Sequence, residues 1–222
     1  MLTNLFPNIK LEDLWEATLE TFYMTSISLI GTFIIGIILG LLLYLTAKGG
    51  LWENKICNVI VGAIVNVFRA IPFIILILLL FPFTKMLIGT VRGPNAALPA
   101  LIIGAAPFYA RLVEIALKEV SKGVVEAALA MGAKTKTIIF KVLLPESLPA
   151  LISGITVTAI ALIGYTAMAG VIGAGGLGNY AHYFGFMRRD FDVVFVCTIA
   201  IVIIVFVFQF IGDFISNKVD KR

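Results

Sequence analysis

From Thr21 to Ala47 the chain carries no Asp, Glu, Lys or Arg. That run exceeds the roughly 20 residues an α-helix needs to cross a bilayer. Lipid offers no water to backbone amides, so a spanning run must satisfy them within a helix. The feature recurs. Cys57 to Phe83 is broken only by Arg69, and Val193 to Gly212 is uncharged. Pro94 to Ala110 is uncharged but short; it lengthens towards Leu117 if Arg111 snorkels or faces protein. Ser147 to Met187 is one uncharged stretch with room for two spans. Its second half, GAGGLGNYAHYFGF, is rich in glycine and aromatics and reads as a loop or short re-entrant piece at the interface. The fourth span is then expected over about Leu148 to Val171.

The expected fold is all-α: a polytopic bundle of about five membrane helices, one domain over residues 1–222. Composition agrees, since 60% of the residues are hydrophobic and 14% charged, against about 25% charged in soluble domains. The net charge of +4 sits in loops, which excludes nucleic acid as an expected partner and makes lipid the expected surroundings. Met1 to Glu20 is acidic rather than basic, so no cleavable signal is expected there. Cys57 and Cys197 are far apart, make no metal spacing, and read as small hydrophobes.

Lys and Arg counted over alternating loops set the orientation. One side receives Lys48, Lys55, Arg111, Lys118, Lys122, Lys134, Lys136, Lys141, Lys218, Lys221 and Arg222; the other receives Lys10, Lys85, Arg92, Arg188 and Arg189. The richer side is expected to be cytoplasmic. The C-terminus then lies inside and the segment 1–20 outside.

The longest segment on the cytoplasmic side is also the least apolar. In EAALAMGAKTKTIIFKVLLPESLP, from Glu126, small residues, basic residues and prolines are mixed. Val124, Ala128 and Met131 recur at helical spacing after Ser121, a good N-cap residue. Gly132 is the natural end of that helix. A second helix is expected from Thr135 or Thr137 through Leu143. Pro145 is expected to stop it, with Leu144 pushed towards extended backbone. Two short helices in an L result, with Ala127, Ala128, Ala130, Gly132 and Ala133 at the corner. Local physics leaves two readings: a solvated amphipathic loop on lipid headgroups, or a corner that another backbone approaches closely.

Glu126-Ala127-Ala128, a three-residue spacer, Gly132, and later Val142-Leu143-Leu144-Pro145 resemble the cytoplasmic signature of permease subunits of ATP-binding-cassette importers. Val142 stands where isoleucine is commoner. RAIPFIIL (Arg69 to Leu76), IIGAAPFYARLVEIAL (Ile102 to Leu117), LIGYTAMAGVIGAGGLG (Leu162 to Gly178) and FQFIGD (Phe208 to Asp213) are similar to the methionine-importer permeases in particular. The resemblance implies that segment 121–146 is a coupling loop docking on an ATPase subunit, with Glu126, Ala127, Ala128, Gly132, Ala133, Leu144 and Pro145 as coupling residues. It further implies a homodimer with two ATPase subunits and an extracytoplasmic substrate-binding protein, in a prokaryotic inner or plasma membrane. No cofactor is expected on this chain. It has no G-x-x-x-x-G-K-[ST] loop, so ATP and Mg belong to the ATPase partner.

Arg69 lies near the centre of an apolar run, at a cost of roughly 2.5 to 3.5 kcal/mol on insertion scales. It therefore reads either as part of the pathway or as paired, at an intersubunit seam, with a carboxylate or with helix-end carbonyls such as those freed at Pro72. Tyr165 and Met168 stand out on a fourth span otherwise carrying small residues, and read as a gate or as ordinary core. GAGGLG formally matches a dinucleotide fingerprint but lacks the flanking strand that motif requires. His182, the only histidine, has no acidic or thiol neighbour at useful spacing; with Tyr180, Tyr183, Phe184 and Phe186 it reads as an interfacial aromatic belt.

The expected activity is thus alternating-access import of an amino acid, most simply methionine, with no catalytic site on this chain. The competing class is an ion-coupled secondary transporter or channel. Such proteins use intramembrane acidic relays, and here Glu114 and Asp213 sit only near span ends. A membrane enzyme is disfavoured by the lack of any His, Cys or carboxylate constellation.

Overall fold

Helix α1 runs from Leu11 to Thr46, longer than its uncharged run because Glu12 and Asp13 suit the positive end of its dipole. The computed structural model describes residues 9–220. Met1 and Arg222 lie outside that range, as do the first residues of the segment 1–20. Along one face of α1, Thr21, Thr25, Ser28 and Thr32 are buried. Thr21 and Thr25 donate their hydroxyls to the carbonyls of Ala17 (3.0 Å) and Thr21 (2.8 Å), which satisfies them without water.

The second span departs from expectation. It is not continuous over Cys57 to Phe83. Helix α2 (Lys55–Ala70) and helix α3 (Phe73–Leu79) meet at Ile71–Pro72 with a bend of 107°. Ile71 is extended (φ −79°, ψ 123°), as a residue before proline prefers. A kink at Pro72 was legible; a reversal of this size was not. Helix α4 (Phe81–Ile88) follows and ends on Gly89.

Helix α5 (Pro94–Lys118) extends the third span past Ala110. It does so without leaving a free charge: the Arg111 guanidinium and the Lys118 ammonium each lie 2.5 Å from an oxygen of the buried Glu114. The segment after α5 contains α6 (Lys122–Ala130) and α7 (Thr135–Ile138). Ser121 occupies the N-cap position as expected, although its hydroxyl makes no cap bond.

Pro145 does not stop the second helix. A π-helical turn over Ile139–Leu143 leads straight into α8 (Leu144–Ala169), and Leu144 is helical (φ −65°, ψ −45°). In the wider turn the Leu144 N–H reaches the Ile139 carbonyl, five residues back. The proline ring then falls in the first turn of α8, where its missing donor is tolerated.

The glycine-rich half of the next stretch is helical rather than a loop. A π-helical turn over Gly170–Ala174 precedes α9 (Gly176–Tyr180), and another over Ala181–Phe186 follows it. Gly173, Gly175 and Gly176 take φ of 97°, 85° and 76°, angles at which other residues are strained. The reversal brings α9 onto α1. The Gly176 N–H donates to Glu20 (2.6 Å) and the Leu177 N–H to the Thr21 hydroxyl (2.8 Å). Tyr180 is buried against α10 (Phe191–Val219) and so belongs to the core rather than to the aromatic belt. No strand occurs among the described residues.

Helix α1 packs mainly on α5, while α8 sits between α10, α5 and α1. Four helices are long and apolar enough to cross a membrane, and the bent α2–α3 pair makes a fifth if counted as one span. Phe206, Phe210 and Phe214 on α10 are exposed. Apolar surface on this scale suits lipid rather than water.

Candidate functional site: the corner after the third span and the bend of the second

The corner between α6 and α7 closes through two hydrogen bonds. The Gly132 N–H reaches the Leu129 carbonyl (2.9 Å) and the Ala133 N–H reaches Ala128 (3.0 Å). Gly132 adopts φ +78°. This is the left-handed helix terminus that favours glycine.

The corner does not hang free. Ala128, Ile138, Ile139 and Leu143 are buried in one apolar cluster with Leu45 of α1, Tyr109, Val113 and Leu117 of α5, and Leu151 of α8. Val125, Ala133, Val142 and Leu144 pack against it. Ala128 (6% exposed) therefore faces the bundle and seats α6. Glu126, Ala127 and Gly132 face outward, as does Pro145 at the base of α8. Beside them Met131 (82% exposed), Phe140 (67%) and Leu129 (47%) are uncovered. Of these only Met131 belongs to the helical repeat noted in the sequence. None of the three stood out there as a contact residue, since apolar side chains in this chain are too common to be a signal.

The candidate pathway residues fall into two groups. Arg69 and Tyr165 line one cleft of about 120 Å³ at the α2–α3 bend, together with Phe68, Ile71, Phe73, Leu76, Gly104 and Phe108. The Tyr165 ring stacks on Phe73, with centroids 4.5 Å apart and planes 5° apart. Gly104 permits that stack: a Cβ there would meet the Phe73 ring at 3.1 Å. Arg69 makes no ion pair or hydrogen bond with any described side chain of its own copy.

Met168 is separate from this cleft. It is 46% exposed and shares a face of α8 with Val157 and Gly164, both exposed, as is Val171 on the π-helical turn that follows. A Cβ built on Gly164 meets nothing within 4 Å. That face is uncovered by the chain's own helices. No group of His, Cys, Asp and Glu suited to a metal occurs among the described residues, and GAGGLG lies between helices rather than after a strand.

Residues 33–222 match the family described as "Binding-protein-dependent transport system inner membrane component". The chain is 67% identical to the methionine import system permease protein MetP of Bacillus subtilis (strain 168) over 222 residues, the whole of both chains. It is 50% identical over 151 residues to the D-methionine transport system permease protein MetI of Escherichia coli (strain K12), covering 68% of this chain and 70% of that one. A solved inward-facing structure of the MetNI methionine ABC transporter superposes with a TM-score of 0.93 at 43% identity, covering 96% of this chain and 100% of the other.

Proposed function

The chain belongs to the family of binding-protein-dependent transport system inner membrane components, and from that premise we propose that it is the permease subunit of an ATP-driven methionine importer. The single observation that carries the reading is the corner. Its inner residues are fixed in the core shared by α1, α5 and α8, while Leu129, Met131 and Phe140 remain uncovered outside. A surface built this way transmits a push from a partner to the spans. The partner is an ATPase subunit that binds ATP and Mg, two of them serving two copies of this chain. A binding protein delivers substrate to the opposite face. The corner lies on the cytoplasmic side, with the segment 1–20 outside.

Reconstitution tests this directly. With ATPase subunits and corner on one side of a vesicle membrane and binding protein on the other, methionine should accumulate on the side holding ATP. Uptake that ignores ATP and collapses with an ion gradient would return the ion-coupled alternative.

The two copies meet about a two-fold axis, the commonest oligomeric solution. The uncovered face of α8 with Gly164 and Met168 supports its placement there, since small residues allow close helix approach. A single cysteine at position 168 should cross-link to its counterpart in the resting complex, with a yield that changes when ATP binds. Absence of a cross-link in every nucleotide state, while positions on other spans react, removes α8 from the axis. Tyr165, stacked on Phe73, gates through the cleft rather than by meeting its own copy.

A further inference from the structure

We infer that the cleft at the α2–α3 bend is a subsite for a free zwitterionic amino acid: the Arg69 guanidinium takes its carboxylate, the end of α2 its ammonium group, and the aromatic walls its apolar side chain. The assignment rests on the permease reading above and deepens it, because it names which residues of this chain recognise the substrate.

A cation inside a span is costly unless it reaches water or a counter-charge. Arg69 lines a cleft, and no carboxylate among the described residues pairs with it. The Glu114 carboxylate is taken by Arg111 and Lys118. A planar guanidinium matches a carboxylate with two parallel hydrogen bonds. The opposite charge is provided for by the break itself. The last carbonyls of a helix have no intrahelical donor, and Pro72, next in the chain, has no N–H to return to them. In interrupted membrane helices such carbonyl ends coordinate cations, and an ammonium group carries charge of the same sign. Phe68, Phe73, Phe108 and Tyr165 complete the walls, and aromatic faces and edges suit a thioether or another apolar chain. At about 120 Å³ the cleft fits a small molecule and not a peptide. Tyr165 belongs to α8, which continues from the corner through the π-helical turn. A push on the corner therefore reaches one wall of this subsite, so its affinity changes with nucleotide state.

The test is equilibrium binding of radiolabelled L-methionine to the detergent-solubilised permease–ATPase complex, without binding protein. The wild-type complex should bind saturably. L-Methioninamide, which lacks the carboxylate, should displace the label about tenfold less well than L-methionine. Arg69→Gln should weaken L-methionine binding by about tenfold or more and lose the preference for acid over amide. Arg69→Lys should fall between, since it keeps the charge without the planar fork. Recovery of each variant with the ATPase subunit checks its folding. Should Arg69→Gln fail that check, the acid–amide comparison on the wild-type complex decides alone. No saturable binding by the wild type, equal displacement by acid and amide, or wild-type affinity in a recovered Arg69→Gln complex overturns the subsite. Failure of the permease reading appears elsewhere, as no ATP-dependent methionine uptake by the wild type; a failed subsite leaves that uptake intact.

Discussion

A Gly132→Leu chain is expected to insert and pack as the wild type does, yet to lose methionine uptake by about tenfold or more. The two halves of that result have different causes. Within the chain there is room: a Cβ built on Gly132 meets nothing within 4 Å. The left-handed conformation at φ +78° costs a leucine roughly 1 to 2 kcal/mol, too little to undo the buried cluster beneath the corner. Against a partner groove the added bulk overpacks a contact made through Leu129, Met131 and Gly132. Recovery of the ATPase subunit with the permease should fall in step with uptake. Gly132→Asn separates strain from bulk, because asparagine tolerates this backbone region better than leucine does; it should retain more activity. If the corner merely rested on lipid headgroups, added apolar bulk would be tolerated or would strengthen the contact. Full uptake by Gly132→Leu therefore counts for the lipid reading and against coupling.

Replacement of Gly40 by leucine should do the opposite and damage the chain itself. A Cβ at Gly40 would lie 2.5 Å from Val113 and 2.7 Å from the Ala110 carbonyl oxygen. The backbone of α5 cannot yield there without moving the whole helix. Membrane helices associate largely through close van der Waals packing, and α1 with α5 is the most extensive pair in this bundle. Overpacking costs about 1 to 3 kcal/mol per site, sometimes more. Gly40→Leu should therefore lower the yield of folded protein and its midpoint in thermal unfolding, before any question of transport. Gly164→Ala is the matched control, since its Cβ enters open space; it should leave the folding of a single copy unchanged. Equal thermal midpoints for Gly40→Leu and wild type would mean that the α1–α5 contact is looser than described.

Much of the bundle was legible because lipid enforces it. An uncharged run cannot lie in hydrocarbon except as a helix, and α1, α5, α8 and α10 appear where such runs lie. The corner was legible for a different reason. Gly132 ends a helix by a local rule, and Ser121 marks the start of one. At prolines local rules gave a kink at Pro72 but not its size, and gave the wrong outcome at Pro145. Pro72 turned the second span by 107°, while Pro145, expected to break a helix, was absorbed behind a π-helical turn. The difference lies in the surroundings. A proline removes one hydrogen bond wherever it stands, but whether the chain bends depends on what packs around it.

Sequence by itself thus determined membrane residence, the rough limits of four spans, and a helix that ends at Gly132. Each follows from chemistry carried by neighbouring residues. It did not determine which residues of the corner face inward. Ala127 and Ala128 are alike in sequence, yet one is exposed and the other buried, because the side chains that cover Ala128 come from other parts of the chain. Nor could it bring Arg69 beside Tyr165, or Glu20 to the Gly176 amide. Those meetings join residues far apart in the chain, and only the packing of α1, α5 and α8 around the bend and the glycine reversal decides them.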